Sequence, residues 1–287
     1  MSGGRTMGSA GFPATLSPPH DAEAAPAADA IPLPVSRRIR LWDLPLRLFH
    51  WSLAVAVVTA IVSAELGGNA MAWHGRAGVL IAALLAFRFV WGVLGPDPAR
   101  FAHFAPTPAA VRAYLGGQWR GVGHNPLGAL SVFALLGLLA AQVATGLVGN
   151  DDIAFTGPLA RFVDDDLSHR LTGWHKGLSW GLFVLLGLHL AAIAFYTRVR
   201  KAGLLGPMIT GWRSLPPDVH PPPRTTAPRG AFGLAMAVAL GSAGVLVWVD
   251  RPDLPASLAA DDAAAGATTA AGPAAAASGG AARAPAW

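Results

Sequence analysis

Five apolar stretches, each close to the length of a membrane span, constrain the fold of this chain more than any other feature of its sequence. A helix needs roughly 20 apolar residues to cross the hydrocarbon core of a bilayer. The composition agrees, because 53% of the 287 residues are hydrophobic and only 13% are charged, which is too apolar for an ordinary soluble chain. The sequence therefore predicts an all-α integral membrane protein. The predicted spans are about Leu46–Leu66, Trp73–Leu94, Asn125–Val148, Leu171–Tyr196 and Ala231–Val249.

The segments outside these spans differ in composition. Residues 1–36 and 250–287 are rich in Ala, Pro, Gly and Ser, so we predict that both are disordered tails. The first tail has no continuous apolar run typical of a signal peptide, and the first span is expected to act as the insertion signal. A Pro-rich linker at 214–230 precedes the last span. We therefore predict a four-helix transmembrane domain at 37–213 and an appended fifth transmembrane helix at 231–249.

Basic and acidic loops alternate along the chain. The net charge is +5, but the basic residues are scattered among the loops, which argues against a nucleic-acid partner. Arginines precede the first span, separate the second from the third and follow the fourth, whereas the loop between the third and fourth carries five aspartates. Cytoplasmic loops are enriched in Lys and Arg. We therefore predict a multi-pass protein of the bacterial cytoplasmic (inner) membrane, with a cytoplasmic N-terminus and a periplasmic 150–170 loop.

Four histidines in the spans form two pairs by depth. His175 and His189 lie fourteen residues apart in the fourth span, which places them on one helix face and ~21 Å apart along it. An ionisable side chain inside a span usually marks a cofactor, an ion path or a proton relay. His74 matches His175 in depth on the outer side, and His50 matches His189 on the inner side. Each pair takes its histidines from two helices, as a flat macrocycle between two axial imidazoles requires.

Other roles for these histidines remain open at this point. A single histidine inside a membrane is often a hydrogen-bonded structural residue or part of a proton path. Zinc is the competing metal, but it needs ligands that converge at one point, whereas these separate into two pairs. The chain has no cysteine, which excludes disulfides, iron–sulfur clusters and a thioether-attached haem.

Short motifs surround the paired histidines and extend between them. They are Leu48-Phe49-His50-Trp51, His74-Gly75 followed by Gly78, Phe87-Arg88-Phe89-Val90-Trp91-Gly92, Gly123-His124-Asn125-Pro126-Leu127-Gly128, Trp174-His175-Lys176, Gly187-Leu188-His189-Leu190-Ala191 and Pro207-Met208-Ile209-Thr210-Gly211. From roughly residue 38 to 213 the chain resembles the bacterial cytochrome b561 and nickel–iron hydrogenase cytochrome b family. The resemblance implies a four-helix bundle that binds two haems b through the four paired histidines. It also implies that electrons pass between the quinone pool and a redox partner.

Several cations are candidates for binding the anionic propionates of such haems. Arg88 lies fourteen residues after His74, so the same periodicity places it on the ligand-bearing face, at the height of the inner haem. We predict that Arg88 binds this cofactor; the alternative is that it snorkels to the cytoplasmic surface. Arg47, Arg76 and Lys176 are further candidates at the span ends, where cations usually meet lipid headgroups.

Three functions follow as hypotheses. The first is a respiratory-chain electron-transfer subunit that links quinone to a hydrogenase, another dehydrogenase or a periplasmic cytochrome c. The second is a self-contained oxidoreductase, such as a superoxide:quinone oxidoreductase. The third is a haem-free helical transporter with a histidine proton relay. The lack of any substrate-activating group favours an electron-transfer subunit over a stand-alone enzyme. His103 and His124 are candidates to line a quinone site near the inner haem on the cytoplasmic side; the alternative, which the sequence favours, is that both pack at span ends.

Overall fold

The computed structural model describes Gly3 and residues 37–153, 155–215, 219, 222 and 226–251. Apart from Gly3, Asp250 and Arg251, the predicted disordered tails lie outside the described residues. The helices within the described part are α1 (Leu44–Leu66), α2 (Met71–Leu94), α3 (Phe101–Phe104), α4 (Pro108–Leu115), α5 (Pro126–Val148), α6 (Asp165–Arg198), α7 (Leu205–Thr210) and α8 (Ala231–Val249). Two strands, β1 (Arg37–Arg40) and β2 (Trp212–Leu215), and three short 3-10 helices, Gly68–Ala70, Asp97–Ala99 and Ala160–Phe162, complete the regular structure of this part.

Five of the described helices, α1, α2, α5, α6 and α8, are long and apolar enough to cross a membrane, as the sequence predicts. Their outward faces carry large apolar side chains. Val55, Phe89 and Trp180, for example, are 67%, 68% and 72% exposed. Exposed apolar surface on this scale is unfavourable in water. The outer faces of these helices are therefore suited to contact with lipid.

Side-chain caps set where α1 and α5 begin. The carboxylate of Asp43 accepts a hydrogen bond from the backbone N–H of Leu46, at 3.0 Å. Asn125 caps α5 in the same way through the N–H of Gly128, at 2.7 Å, and Pro126 takes the first helical position, as predicted. Each cap satisfies one of the N–H groups that a helix start leaves without a partner.

The helix α6 is longer than the sequence predicts. It begins at Asp165, not at Leu171, and runs for 34 residues. The side chain of Asp164 accepts a hydrogen bond from the N–H of Leu167 at 2.8 Å, and the acidic residues of the first turn are favourable at a helix N-terminus. The apolar pattern therefore marked only the lipid-facing part of a helix whose first turns are polar.

The spanning helices pack as two hairpins. α1 packs against α2, and α5 packs against α6, while α2 also contacts α5. A small apolar cluster joins the hairpins, formed by Ala56, Val57, Ile81, Leu139 and Leu182. The helix α6 packs extensively against α5 but has no comparable packing against α1 or α2. The side of α6 that faces away from α5 is therefore largely open.

The fifth spanning helix, α8, packs along α2. Ala231, Ala235 and Ala239 recur every four residues and are buried, and the ring of Phe232 lies edge-on to Phe87 and Trp91, with centroids 6.3 and 6.2 Å away. Small residues at this spacing allow two helices to approach closely. The linker separates α8 from the other spans in sequence, but α8 packs directly against one of them.

The all-α prediction missed one element, a two-stranded antiparallel sheet. β1 pairs with β2 in a register that places Arg40 opposite Trp212 and Arg37 opposite Leu215. The backbone N–H groups of Leu41 and Trp42 donate to the carbonyl of Gly211, at 2.8 and 3.3 Å. The strands are four residues each and distant in sequence, so no local periodicity signals their pairing. The sheet ties the segment after α7 to the start of α1.

Candidate functional site

His74 of α2 and His175 of α6 face each other. Their ring centroids are 5.9 Å apart and their planes are nearly perpendicular, at 84°. The Nδ1 of His74 lies 2.9 Å from the carbonyl oxygen of Ala60 in α1, and the Nδ1 of His175 lies 3.0 Å from that of Gln142 in α5. A carbonyl can only accept, so each Nδ1 carries the proton and donates it. The Nε2 atom of each ring is then the basic nitrogen that can bind a metal.

The outer pair fits a haem on geometric grounds. A metal–imidazole bond is about 2 Å long, so two axial imidazoles on one metal have ring centroids roughly 6 Å apart. The separation of 5.9 Å is close to this value. A backbone carbonyl on the remaining ring nitrogen is also the usual partner of a metal-binding histidine, since it fixes the orientation of the ring.

Glycines shape the surroundings of the outer pair. A Cβ at Gly146 in α5 would lie 2.9 Å from the Cε1 of His175, so only glycine leaves room for this ring. A Cβ would meet no other atom within 4 Å at Gly78, one turn after His74, or at Gly173 and Gly177, on either side of His175. Small residues of this kind allow a flat group to approach the backbone.

The loop between α5 and α6 reaches over the outer pair. The ring of Phe155 lies edge-on to His74 with centroids 5.8 Å apart. It also packs on Gly75, where a Cβ would come within 3.0 Å of the Phe155 ring. No sequence pattern indicates this contact, because a single aromatic residue in a loop has no periodicity. Phe155 covers His74 on the side of the acidic loop.

His50 and His189 are less closely joined. Both are half-buried, and they interact electrostatically. Within the described residues their rings do not make the direct contact that joins His74 to His175. The Nδ1 of His50 is buried and has no hydrogen-bond partner among the described residues. Two candidate ligands thus lie in the same region, without the backbone support that orients the outer pair.

Arg88 lies inside the protein, near the inner pair. Its side chain is almost fully buried, with 3% of its surface exposed, and its guanidinium carbon lies 4.3 Å from the ring centroid of Phe101 and 6.0 Å from that of Phe104. One terminal nitrogen is buried without a hydrogen-bond partner among the described residues. A buried cation is costly unless it is paired. An anionic group of a ligand would fit this position.

His124 also lies close to the inner pair. It immediately precedes the N-cap of α5, and its ring contacts those of Trp42 and Phe104, with centroids 4.6 and 4.7 Å away. Burial, assisted by electrostatic interactions with Arg88, His189 and His50, lowers the pKa of His124 to about 4. His124 is therefore neutral at pH 7. His103, the other predicted quinone-site residue, is exposed on α3.

Asp43 connects the start of α1 to the end of α2. Its second carboxylate oxygen accepts a hydrogen bond from the indole N–H of Trp91, at 3.0 Å. Burial raises the pKa of Asp43, while the hydrogen bonds from Leu46 and Trp91 and the charges of Arg40 and Arg88 oppose this rise. Asp43 is not among the site residues predicted from the sequence. Its position directly before an apolar stretch was the only available signal, and this signal indicates a cap.

The other cations considered from the sequence have different partners. Arg47 donates a hydrogen bond to the carbonyl of Ile209, and Arg76 stacks on Trp73, with its guanidinium 5.1 Å from the ring centroid. No group of three or more His, Cys, Asp or Glu side chains with the geometry of a metal site occurs among the described residues.

The fold and the histidine pairs define a helical membrane protein suited to hold a redox cofactor between its spans. The family described as "Prokaryotic cytochrome b561" matches residues 41–211, which is more than half of the chain, and the chain therefore belongs to this family. The protein is thus a multi-pass membrane protein of a b-type cytochrome family. This membership implies haem b and a role in membrane electron transfer.

Two curated relatives are each similar to 63% of this chain. One, from Azotobacter chroococcum mcd 1, is named "Probable Ni/Fe-hydrogenase B-type cytochrome subunit" and is 26% identical over 219 residues, which cover 63% of this chain and 90% of the relative. The second bears the same name, comes from Azotobacter vinelandii and is 26% identical over 220 residues, with the same coverage. No solved structure matches the chain.

Proposed function

We propose that this protein is a di-haem cytochrome b that transfers electrons across the bacterial inner membrane, between the quinone pool and a redox partner protein. His74 and His175 would hold an outer haem b, and His50 and His189 would hold an inner haem b. The observation that carries the proposal is the outer pair, whose rings are 5.9 Å apart with both Nδ1 atoms held by backbone carbonyls.

Each proposed ligand depends on the residues around it. Donation from Nδ1 to the carbonyls of Ala60 and Gln142 keeps the two outer imidazoles in one tautomer and makes Nε2 more basic. Phe155 restricts the access of water to His74. A haem b bound between these histidines would supply one-electron chemistry at its iron.

Arg88 is proposed to bind a propionate of the inner haem. One nitrogen of its guanidinium is buried without a partner among the described residues, which supports this role. Arg88 also lies near the inner pair, because His124 interacts electrostatically with Arg88 as well as with His50 and His189. Phe101 and Phe104 hold the guanidinium from the side. A carboxylate paired with Arg88 there would offset the cost of burying the charge. Neutral His124 and the aromatic rings beside it are proposed to lie next to a quinone.

The domain arrangement and the orientation belong to the same proposal. Residues 37–213 form the haem-binding domain, 214–230 a linker and 231–249 a fifth span, with the N-terminus in the cytoplasm and the 150–170 loop in the periplasm. The names of the two relatives support a redox enzyme, such as a hydrogenase, as the partner. The Arg161 guanidinium, in the loop between α5 and α6, donates a hydrogen bond to the carbonyl of Arg251 at 3.2 Å. This contact supports the proposal that α8 ends on the same side of the membrane as the acidic loop.

Histidine substitutions in the full-length protein test the pairing. We expect His74→Ala and His175→Ala to remove the same haem, and His50→Ala and His189→Ala to remove the other one. Haem per protein and the number of components in a redox titration of the reduced-minus-oxidised spectrum are the measurements. His103→Ala is the matched control, because His103 is exposed, and it should keep both haems.

The same series distinguishes the remaining hypotheses. Loss of one shared haem in His50→Ala and His74→Ala would contradict the pairing by depth. A wild-type protein without any b-type absorption band would contradict the haem assignment and favour the haem-free transporter with a histidine proton relay. Reduction of the haems by quinol, with no turnover of superoxide, supports a carrier subunit; rapid superoxide:quinone turnover by the isolated protein supports a stand-alone enzyme.

A further inference from the structure

One face of the small sheet presents two arginines and a tryptophan together. Arg40 lies opposite Trp212 and Arg38 opposite Ser214, so these residues share a face of the sheet. The guanidinium carbons of Arg38 and Arg40 lie 5.8 and 6.0 Å from the ring centroid of Trp212. All three side chains are exposed. Arg38, Arg40 and Trp212 are called the arginine face below.

The two guanidiniums of the arginine face make no direct ion pair with a carboxylate. Among the described residues, neither Arg38 nor Arg40 forms an ion pair with a carboxylate. Asp43 interacts electrostatically with Arg40, but its two oxygens accept hydrogen bonds from the N–H groups of Leu46 and Trp91 and not from Arg40. Stacking on one ring holds the two like charges close together, so an anion placed between them is strongly favoured.

The position of the arginine face indicates which anion this is. β1 ends at Arg40, just before α1 begins at Leu44, and the hydrogen bonds from Leu41 and Trp42 to Gly211 hold β2 against the same helix start. The face therefore lies where a membrane span meets the headgroup region. The indole of Trp212 is 45% exposed, and tryptophan is enriched at membrane interfaces.

We propose that the arginine face binds the phosphate of an anionic phospholipid headgroup. Planar guanidiniums pair with phosphate oxygens through two parallel hydrogen bonds, which an ammonium cannot do. Both forks lie on one side of the sheet, and the indole beside them lies at the level of the headgroup. This site is separate from the proposed haem sites and does not depend on the proposed electron transfer.

Native mass spectrometry of the full-length protein, released from mixed micelles of phosphatidylglycerol and phosphatidylcholine, tests the proposal. We expect the wild-type protein to retain phosphatidylglycerol in preference to phosphatidylcholine. In Arg38→Gln/Arg40→Gln the ratio of retained phosphatidylglycerol to phosphatidylcholine should be about tenfold lower. The matched control is Arg112→Gln/Arg120→Gln, which removes two exposed arginines from α4 and the segment after it and should keep the preference.

Two further variants separate the geometry of the face from its charge. Arg38→Lys/Arg40→Lys keeps both charges but removes the planar guanidinium groups. Trp212→Leu removes the ring on which the guanidiniums stack. Each variant should weaken the preference for phosphatidylglycerol. An unchanged preference in Arg38→Gln/Arg40→Gln overturns the proposal, as does an equal loss in the control pair. If lipid retention is unchanged and binding of an acidic protein is lost instead, the face is a protein-docking site.

Discussion

Gly146 determines whether the His175 ring can occupy its position. A Cβ added there would lie 2.9 Å from the Cε1 of this ring, which is closer than real side-chain contacts. Gly146→Ala should therefore displace the imidazole and weaken or remove the outer haem, while the inner haem stays. The number of components in a redox titration of the purified protein is the measurement.

A second glycine of the same helix gives the control for this substitution. A Cβ at Gly137 meets no atom within 4 Å, so Gly137→Ala should keep both haems, and the higher helix propensity of alanine adds up to about 1 kcal/mol of stability. If both alanine variants keep the outer haem at its wild-type potential, the close approach of Gly146 to His175 has no role in haem binding.

His124 should make the protein sensitive to mild acid. Its pKa is lowered from 6.5 to about 4 in the folded protein, so between these values the unfolded chain binds a proton that the folded chain does not. Stability therefore falls as the pH falls from 6.5 to about 4, by about 3 kcal/mol in total. His124→Gln should reduce the drop in melting temperature between pH 7 and pH 4.5.

The exposed His103 provides the comparison for His124. Because His103 lies on the surface, His103→Gln should keep the pH dependence of the wild-type melting temperature. Equal pH dependence in the wild type and in His124→Gln would mean that other groups cause the acid sensitivity. Comparing the variants at each pH removes the contribution of groups that all the proteins share.

The helix α8 depends on the close approach of small residues to α2. Ala235 is fully buried in this contact, and a larger side chain there would force the helices apart at a cost of about 1–3 kcal/mol. Ala235→Leu should lower the melting temperature of the detergent-solubilised protein, whereas Ala237→Leu, at an exposed position two residues later, should leave it unchanged. An equal effect of both leucines would contradict the packing of α8 on α2.

The spans were predictable from the sequence because apolar length alone determines them, and the caps at Asn125 and Pro126 were predictable because their chemistry is local. The start of α6 at Asp165 was not, since its first turns are polar and are stabilised by the cap at Asp164. The sheet was missed for a different reason. Its two strands have four residues each and lie far apart in sequence, before α1 and after α7, so no local pattern indicates their pairing.

The candidate site was predictable to a similar extent. Depth and helical periodicity paired His74 with His175, and the structure brings these rings together. The partners that orient them are the backbone carbonyls of Ala60 and Gln142. Any residue type has a carbonyl, so no sequence pattern identifies these partners. Phe155 likewise reaches His74 only through the path of a loop.

The distribution of charge over the whole protein predicts its orientation, and the chain is well suited to test this. It contains no cysteine, so a single introduced cysteine is the only thiol that can react. Ile153, between α5 and α6, is 92% exposed, and Gln118, between α4 and α5, is also exposed. In intact cells a membrane-impermeant maleimide should label Ile153→Cys but not Gln118→Cys, and permeabilised cells should show both. The reverse pattern would contradict the periplasmic 150–170 loop, and labelling of both sites in intact cells would contradict the crossing of the membrane by α5, which lies between them.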